Sequence, residues 1–278
     1  MGVSIVTGAS RGIGREIARK LASRGRTVVA VARSASELES LAGEDGPGKI
    51  IPLVIDLSQT DSIQPALEPV LREHGPCEVL VNNAGYALRG AIEEIELDAW
   101  RREFEVNLFA CTKLIQLVAP GMRERRRGRI VNVSSVAGRV STPFNGAYSA
   151  TKFALEAVND ALRIELKPFG VHVVVLQPGP VATDFRRAAE EASGGTFDDD
   201  SSPYITGYRG QKAKMKKSRE NSWSVDRVAD LAIEAIESSD PKPTYAAYGP
   251  RMNLGIKLRA LAPAVLDRLV ARRAGWSS

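Results

Sequence analysis

An α/β domain built on a parallel sheet is the fold class this sequence predicts, and three observations predict it. Short β-branched segments alternate with helix-period segments along most of the 278 residues. A glycine-rich turn, Thr7-Gly8-Ala9-Ser10-Arg11-Gly12-Ile13-Gly14, follows the first apolar segment and opens the first helical one. No stretch of linker composition interrupts the chain before the polar region near residue 190, so one large domain accounts for the length.

Residues 3–6, 27–31, 50–55, 79–81, 129–133 and 171–176 read as buried strands, each bounded by glycine, proline or polar residues, and 244–248 adds a final one. Between the first two strands Ile13, Ile17 and Leu21 recur at helical spacing until Gly25 stops the helix. Trp100, Phe104 and Leu108, followed by the apolar run 114–118, predict one long helix between the fourth and fifth strands. From about Ala147 the residues Leu155, Val158, Leu162 and Leu166 form a buried stripe, and Lys167-Pro168-Phe169-Gly170 ends it. Strands separated by helices require right-handed crossovers. The result is a single doubly wound, Rossmann-type domain with helices on both sheet faces.

That domain is expected to occupy residues 1–250. Residues 184–225 are too long for a passive connection and carry Gly194-Gly195, three consecutive aspartates at 198–200 and scattered aromatics: Phe185, Phe197, Tyr204, Tyr208 and Trp223. They read as a lid over the substrate, with disorder as the alternative. Residues 251–278 form a basic amphipathic extension, in which Leu254, Leu258, Leu261, Val265 and Leu269 recur at helical spacing. Lys257, Arg259, Arg268, Arg272 and Arg273 flank that stripe. It can pack on the domain, cover the pocket or lie peripherally on an anionic membrane.

Composition narrows the function classes. The net charge of +5 comes from basic clusters at 123–129, 212–219 and 268–273, which lack aromatic interleaving and read as solvated helix ends, so no nucleic-acid partner is expected. Cys77 and Cys111 sit in apolar surroundings, as reduced buried thiols do. His74 and His172 lie far apart, and no metal site is expected. The N-terminus lacks the features of a secretory signal and no apolar run reaches the ~18 residues that span a bilayer. A soluble, cytoplasmic protein is the expectation.

The chemistry is concentrated in a few residues. Tyr148 and Lys152 stand at i, i+4, on one face of a helix. A phenol titrates near ~10, and a positive charge beside it is expected to lower that value, making Tyr148 a proton donor and acceptor for a substrate oxygen. Ser135 follows the strand at 129–133. The glycine turn, between a strand and a helix, lets the backbone approach a pyrophosphate, with Gly8, Gly12 and Gly14 as its glycines. At the end of the second strand Arg33 and Ser34 stand where an NAD site would hold a carboxylate; with Arg11 they suit a 2′-phosphate, so NADP is the expected cofactor.

Taken together these motifs resemble the short-chain dehydrogenase/reductase family over roughly residues 1–185. They are the glycine turn, Asn82-Asn83-Ala84-Gly85 after the fourth strand, Asn107 in the next helix, Ser135, Tyr148 with Lys152, and Pro178-Gly179-Pro180-Val181-Ala182-Thr183. The resemblance implies that Tyr148 is general acid in reduction and general base in oxidation. It implies that Lys152 holds the nicotinamide ribose and lowers the tyrosine pKa, that Ser135 orients the substrate oxygen, and that Asn107 holds a water linking Lys152 to solvent. Cofactor contacts are implied for Ser10, Arg11, Ile13, Asn83, Ala84, Gly85, for Asp56 with Leu57 at the adenine, for Pro178 and Gly179, and for Val181 and Thr183 at the carboxamide. The family commonly pairs through the helix carrying Tyr148, which implies a homodimer or homotetramer.

Tyr86, Ala87, Leu88, Val136, Ala137, Val140 and Phe144, with the lid aromatics, are expected to build a mainly apolar pocket. A small hydrophobic ketone, aldehyde or alcohol is the expected substrate, and the strand at 29–33 looks like that of NADP-preferring steroid and retinol dehydrogenase-like members. The expected function is NADP-dependent interconversion of a carbonyl and an alcohol. The alternative is a non-catalytic NADP-sensing or interaction protein that retains the fold.

Overall fold

The computed structural model describes residues 2–44, 46–217 and 222–274. Seven strands, β1 (Val3–Thr7), β2 (Thr27–Ala32), β3 (Lys49–Val54), β4 (Cys77–Asn82), β5 (Gly128–Val133), β6 (Val171–Pro178) and β7 (Thr244–Ala247), form one sheet in the order β3-β2-β1-β4-β5-β6-β7. Every pairing is parallel; Val6, for example, lies opposite Ala30 on one side and Val81 on the other. The central strands β1 and β5 are buried along their whole length, and β4 at every residue but Glu78, as a sheet covered on both faces requires.

The period of two along each strand sorts the core into two halves. Val28 and Ala30 face one side, with Ile17 and Leu21 of α1 (Gly12–Ala22) and Val228 and Ile233 of α9 (Val225–Glu237). Val29 and Val31 face the other, with Ile63 of α3 (Thr60–His74) and Leu114 and Met122 of α5 (Ala110–Glu124). The remaining helices in chain order are α2 (Ala35–Ala42), α4 (Leu97–Phe104), α6 (Gly146–Leu166), α7 (Phe185–Ala192), α8 (Ile205–Lys217), α10 (Pro250–Leu261) and α11 (Pro263–Ala274). Helix α9 is absent from the sequence expectations. Its start is nonetheless marked by Ser224, whose hydroxyl accepts the Arg227 N–H at 3.3 Å, and by the spacing of Val228, Ala232, Ile233 and Ile236.

Three expectations need correction. The long helix before β5 is not regular: Glu105–Phe109 form a π-helical turn between α4 and α5, which reorients the fully buried Asn107. The C-terminal stripe is not one helix, because Pro263 breaks it into α10 and α11. The stretch expected as a long loop contains α7 and α8, and its two ends are paired: Trp223 donates its N–H to the Pro180 carbonyl at 3.0 Å and accepts the Ala182 N–H at 3.1 Å. Residues 218–221 of that stretch, 218–219 of the predicted basic cluster and 275–278 of the extension lie outside the described residues. Cys77 and Cys111 are buried and unbridged.

Candidate active site

The sheet order reverses between β1 and β4, and a cavity of 770 Å³ opens at their carboxyl ends. Thr7, the last residue of β1, ties the two following turns together. Its hydroxyl accepts the N–H groups of Asn83 (2.9 Å) and Ala84 (3.0 Å), while the Asn83 amide donates to the Thr7 carbonyl at 2.9 Å. Gly8 and Gly12 adopt φ of +66° and +57°, the left-handed region open to glycine. Gly14 is required by close approach: a Cβ there would lie 2.3 Å from the Gly8 carbonyl oxygen and 2.4 Å from the Asn83 amide nitrogen. No side chain caps α1, so its first N–H groups are available to an anion.

The residues expected to hold a dinucleotide converge on this cavity. Gly8, Ser10, Arg11, Gly12, Ile13, Arg33, Asp56, Leu57, Asn83, Ala84, Gly85, Pro178, Gly179, Val181 and Thr183 line it, together with Ser135, Tyr148 and Lys152. Gly14, Ser34 and Asn107 do not. Gly14 lies under the turn, Ser34 starts α2 with its hydroxyl 3.4 Å from that of Ser36, and Asn107 is buried. Asp56 braces its own turn by accepting the N–H and the hydroxyl of Ser58 at 3.0 and 2.9 Å. A glycine cradle that a Cβ would fill, an uncapped helix start and an exposed Arg33 at the rim are what a dinucleotide phosphate needs, and the residues present fit that group.

Strand β5 delivers Ser135, and α6 delivers Tyr148 and Lys152 one turn apart. The Ser135 hydroxyl accepts the Ala137 N–H at 3.1 Å and donates weakly to the Pro178 carbonyl at 3.4 Å, which bridges β5 to β6. Lys152 is buried, with Nζ donating to the Val133 carbonyl at 2.9 Å and lying 5.8 Å from the Tyr148 ring centre. The expected depression of the phenol by Lys152 is not found. Burial pushes Tyr148 up to about 12, its hydrogen bond with Ser135 and the Arg89 charge oppose that rise, and the Glu103 charge adds to it. Lys152 is itself lowered, chiefly by burial. Desolvation is the largest influence on Tyr148, and it favours the protonated phenol.

Asn107 spends its amide on the chain. It donates to the Tyr86 carbonyl (2.8 Å) and to the Thr151 hydroxyl (3.1 Å) and accepts the Tyr86 N–H (3.0 Å), which fastens the loop after β4 to α6. One helical turn earlier, the buried Glu103 accepts the Leu88 N–H at 2.9 Å. The loop that carries Tyr86, Leu88 and Arg89 into the cavity wall is therefore held by two polar side chains of the α4–α5 segment.

The predicted pocket is only partly the observed one. Tyr86, Leu88, Val136, Ala137 and Phe185 line the cavity, joined by Ala188 and Met252. Ala87, Val140 and Phe144 do not line it: Ala87 packs against Tyr148 in the core, and Phe144 anchors an aromatic cluster, 4.6 Å from the Tyr208 ring. Phe197 stacks on Tyr208 at 4.7 Å. The Tyr208 hydroxyl donates to Glu94 and accepts the Ala91 N–H at 2.8 Å. Those aromatics hold residues 197–208 to the body; among the aromatics of the expected lid, Phe185 lines the cavity. Polar residues complete the wall at Arg89, Thr142, Asn145, Glu191 and Gln211, none of which the sequence pattern singled out. The cavity wall thus carries polar residues among its apolar ones.

The C-terminal segment docks at one end. Tyr248 donates to Gln177 at 3.1 Å, Met252 reaches the cavity, and Arg259 donates to the Arg139 carbonyl at 2.9 Å while lying over the Phe153 ring. Beyond these anchors Leu254, Leu261, Val265 and Leu269 are exposed. No helix among the described residues is long and apolar enough to cross a membrane.

A dinucleotide crevice at the sheet's switch point, with hydroxyl, phenol and amine on its wall, defines the class: a nucleotide-dependent oxidoreductase of the doubly wound fold. Comparison with known proteins agrees. A model of the short chain dehydrogenase family matches residues 2–194, and the chain belongs to that family. The 3-ketodihydrosphingosine reductase of Bacteroides thetaiotaomicron is 35% identical over 250 residues, covering 89% of this chain and 88% of that protein. A short-chain dehydrogenase from Sphingobium yanoikuyae in complex with NADPH superposes with a TM-score of 0.73 at 26% identity, covering 97% of this chain and 95% of the other. A short chain dehydrogenase/reductase from Burkholderia phymatum in complex with NAD reaches 0.80 at 25% identity, covering 95% and 94%. Structural relatives thus carry either NADP or NAD.

Proposed function

We propose that this protein uses NADP(H) to interconvert a carbonyl and an alcohol on a substrate with a hydrophobic body and a polar end, running as a reductase at neutral pH. The observation that carries this reading is the meeting of Ser135, Tyr148 and Lys152 with the glycine turn and Arg33 on one cavity wall. The turn and the start of α1 would hold the pyrophosphate, Asp56 and Leu57 the adenine, and Val181 and Thr183 the carboxamide. Arg33 and Arg11, with Ser34 beside them, would take the 2′-phosphate through charge-assisted bonds. When bound, the nicotinamide supplies or accepts the hydride.

Every other part of the reaction belongs to the chain. Ser135 holds the substrate oxygen and stabilises charge as it develops there. Tyr148 delivers its proton to that oxygen. A phenol held near 12 is fully protonated at neutral pH, the state that reduction consumes. Lys152 anchors the ribose and supplies positive charge behind the phenol, and Asn107 keeps the loop after β4 against α6 so that the three groups stay in register.

The substrate class follows from the wall. Apolar Val136, Phe185, Ala188 and Met252 suit a hydrocarbon body, and Arg89, Glu191 and Gln211 suit a polar end. An amphiphilic long-chain ketone answers both, a choice supported by the sphingoid reductase relative. The exposed apolar residues of α10 and α11, set among Arg251, Lys257, Arg268 and Arg272, support peripheral contact with an anionic lipid surface. Exposed Phe109 and Ile164 support pairing of two copies through the α6 face.

The test is NADPH consumption across long-chain ketones, aldehydes, steroids and sugars, with NADH in parallel. Turnover of amphiphilic ketones with NADPH preferred is expected. NADPH binding without turnover of any carbonyl would instead identify a non-catalytic cofactor-binding protein. Co-sedimentation with anionic but not neutral vesicles is expected at low salt, and its absence would end the membrane reading.

A further inference from the structure

The reaction set leaves one buried acid unassigned. Glu103 ends α4 with no exposed surface. Its Oε1 accepts the Leu88 N–H at 2.9 Å, and its Oε2 is buried without any hydrogen-bond partner. The same loop is gripped one turn later by Asn107, which bonds the Tyr86 N–H and carbonyl and the Thr151 hydroxyl. Gly85, just before that loop, fits between the two: a Cβ there would lie 2.9 Å from the Asn107 Oδ1 and 3.7 Å from Lys152 Nζ. Glu103 thus stands behind the wall that carries Tyr86, Leu88 and Arg89, while Gly85 separates Asn107 from Lys152.

Resting on the reading of Tyr148 and Lys152 as the reacting pair, we propose that Glu103 is a positioning residue of this site: one carboxyl oxygen fixes the loop after β4, and the buried, unpartnered second oxygen keeps an ionisable carboxyl behind the wall of the reacting groups. A hydrogen bond to Leu88 needs only one oxygen and no charge. An ionised carboxylate with an orphaned buried oxygen is costly, so the neutral acid is favoured. Burial pushes Glu103 up to about 8, opposed by the Leu88 N–H and by the Lys152 charge. The titratable groups on which its charge acts are Lys152 and Tyr148 on α6 and Tyr86 on the loop; it raises all three. Below about pH 8 the acid is neutral and leaves Tyr148 unopposed. Above it, the carboxylate holds the phenol protonated and the lysine charged, which restrains the phenolate that alcohol oxidation requires and favours the reducing direction.

Glu103→Gln keeps the shape and the acceptor for Leu88 but cannot ionise. Two readouts need no turnover. In infrared pH-difference spectra, a protonated carboxyl band lost between about pH 7 and 9 is expected in the parent protein and absent in Glu103→Gln. In ultraviolet titration, the tyrosine signal assigned by its loss in Tyr148→Phe is expected to move down in Glu103→Gln, giving more phenolate at a given pH. In alcohol oxidation with NADP, the parent kcat/KM profile should carry an inflection near pH 8 that Glu103→Gln lacks. Glu103→Leu, which also frees the Leu88 N–H, should raise KM relative to Glu103→Gln. If Tyr148 titrates identically in the parent and Glu103→Gln, the charge coupling is wrong whatever the turnover. If KM is equal in the Gln and Leu variants, the loop-fixing role is wrong. Should no carbonyl or alcohol be turned over while the infrared and ultraviolet shifts appear, the coupling stands and the assigned reaction falls.

Discussion

The half of the cavity around the glycine turn, proposed for the cofactor, and the half around Phe185 and Met252, proposed for the substrate, are built in opposite ways. Around the glycine turn the constraint is on the backbone: Gly8 and Gly12 need a positive φ, Gly14 needs the absence of a Cβ, and Thr7 stitches β1 to Asn83 and Ala84. Around the substrate the constraint is on side chains brought from far along the chain: Glu94 to Tyr208, Phe144 to Phe197, Met252 to the cavity wall. A backbone constraint acts through a few neighbouring residues and leaves a local motif. A packing constraint is met by many combinations and leaves none.

Breaking the first half should therefore have the larger effect. Gly14→Val drives side-chain atoms into the Gly8 carbonyl and the Asn83 amide, and NADPH binding, followed by fluorescence titration, should be lost, since backbone there cannot yield cheaply. Arg33→Asp should reverse the nucleotide preference by about 10–100-fold, the equivalent of roughly 1.5–3 kcal/mol for a charge-assisted contact; unaltered NADP selectivity in kcat/KM would show that Arg33 does not read the phosphate.

The substrate half should respond more gently. Tyr208→Phe leaves Glu94 and the Ala91 N–H without their shared hydroxyl, at a cost of about 1–3 kcal/mol. The lid should loosen, with KM for the carbonyl rising several-fold and NADPH affinity unmoved; an equal change in both would dissolve the distinction between the halves. The last effect is on stability and leaves the cavity's chemistry aside. The folded protein holds the Glu103 proton to about 8 against an ordinary 4.5, so the folded state binds more protons in that interval. The stabilisation belonging to the neutral acid is complete below about 4.5 and is lost as pH rises towards 8, by at most about 1.4 kcal/mol per pH unit. Glu103→Gln should flatten that part of the melting-temperature profile.

The same contrast explains what could be read from the chain. The strands, the doubly wound order of elements and the residues that line the cofactor cavity were legible, because apolar runs of strand length and glycines at fixed offsets have few other uses. Glu103 was not, because an acid following Arg101 and Arg102 looks like a solvated helix face; only its position one turn before Asn107 hints otherwise. The π-helical turn at Glu105–Phe109 leaves no mark in the apolar spacing, which reads as one continuous helix. Lid aromatics misled for a related reason: composition says that Phe197, Tyr204 and Tyr208 are buried against something, and only tertiary structure says it is Phe144 rather than a substrate. The phenol's rise was hidden too, since i, i+4 spacing reports the lysine but not the depth at which both groups lie.

The most direct test of the account compares the parent protein with Tyr148→Phe, measuring NADPH affinity and the rate of NADPH oxidation with a responsive ketone in the same preparation. Affinity should stay within a few-fold while the rate falls by about 10²–10⁴, the contribution of a positioned proton donor. A variant that binds NADPH and reduces the ketone at the parent rate would contradict it.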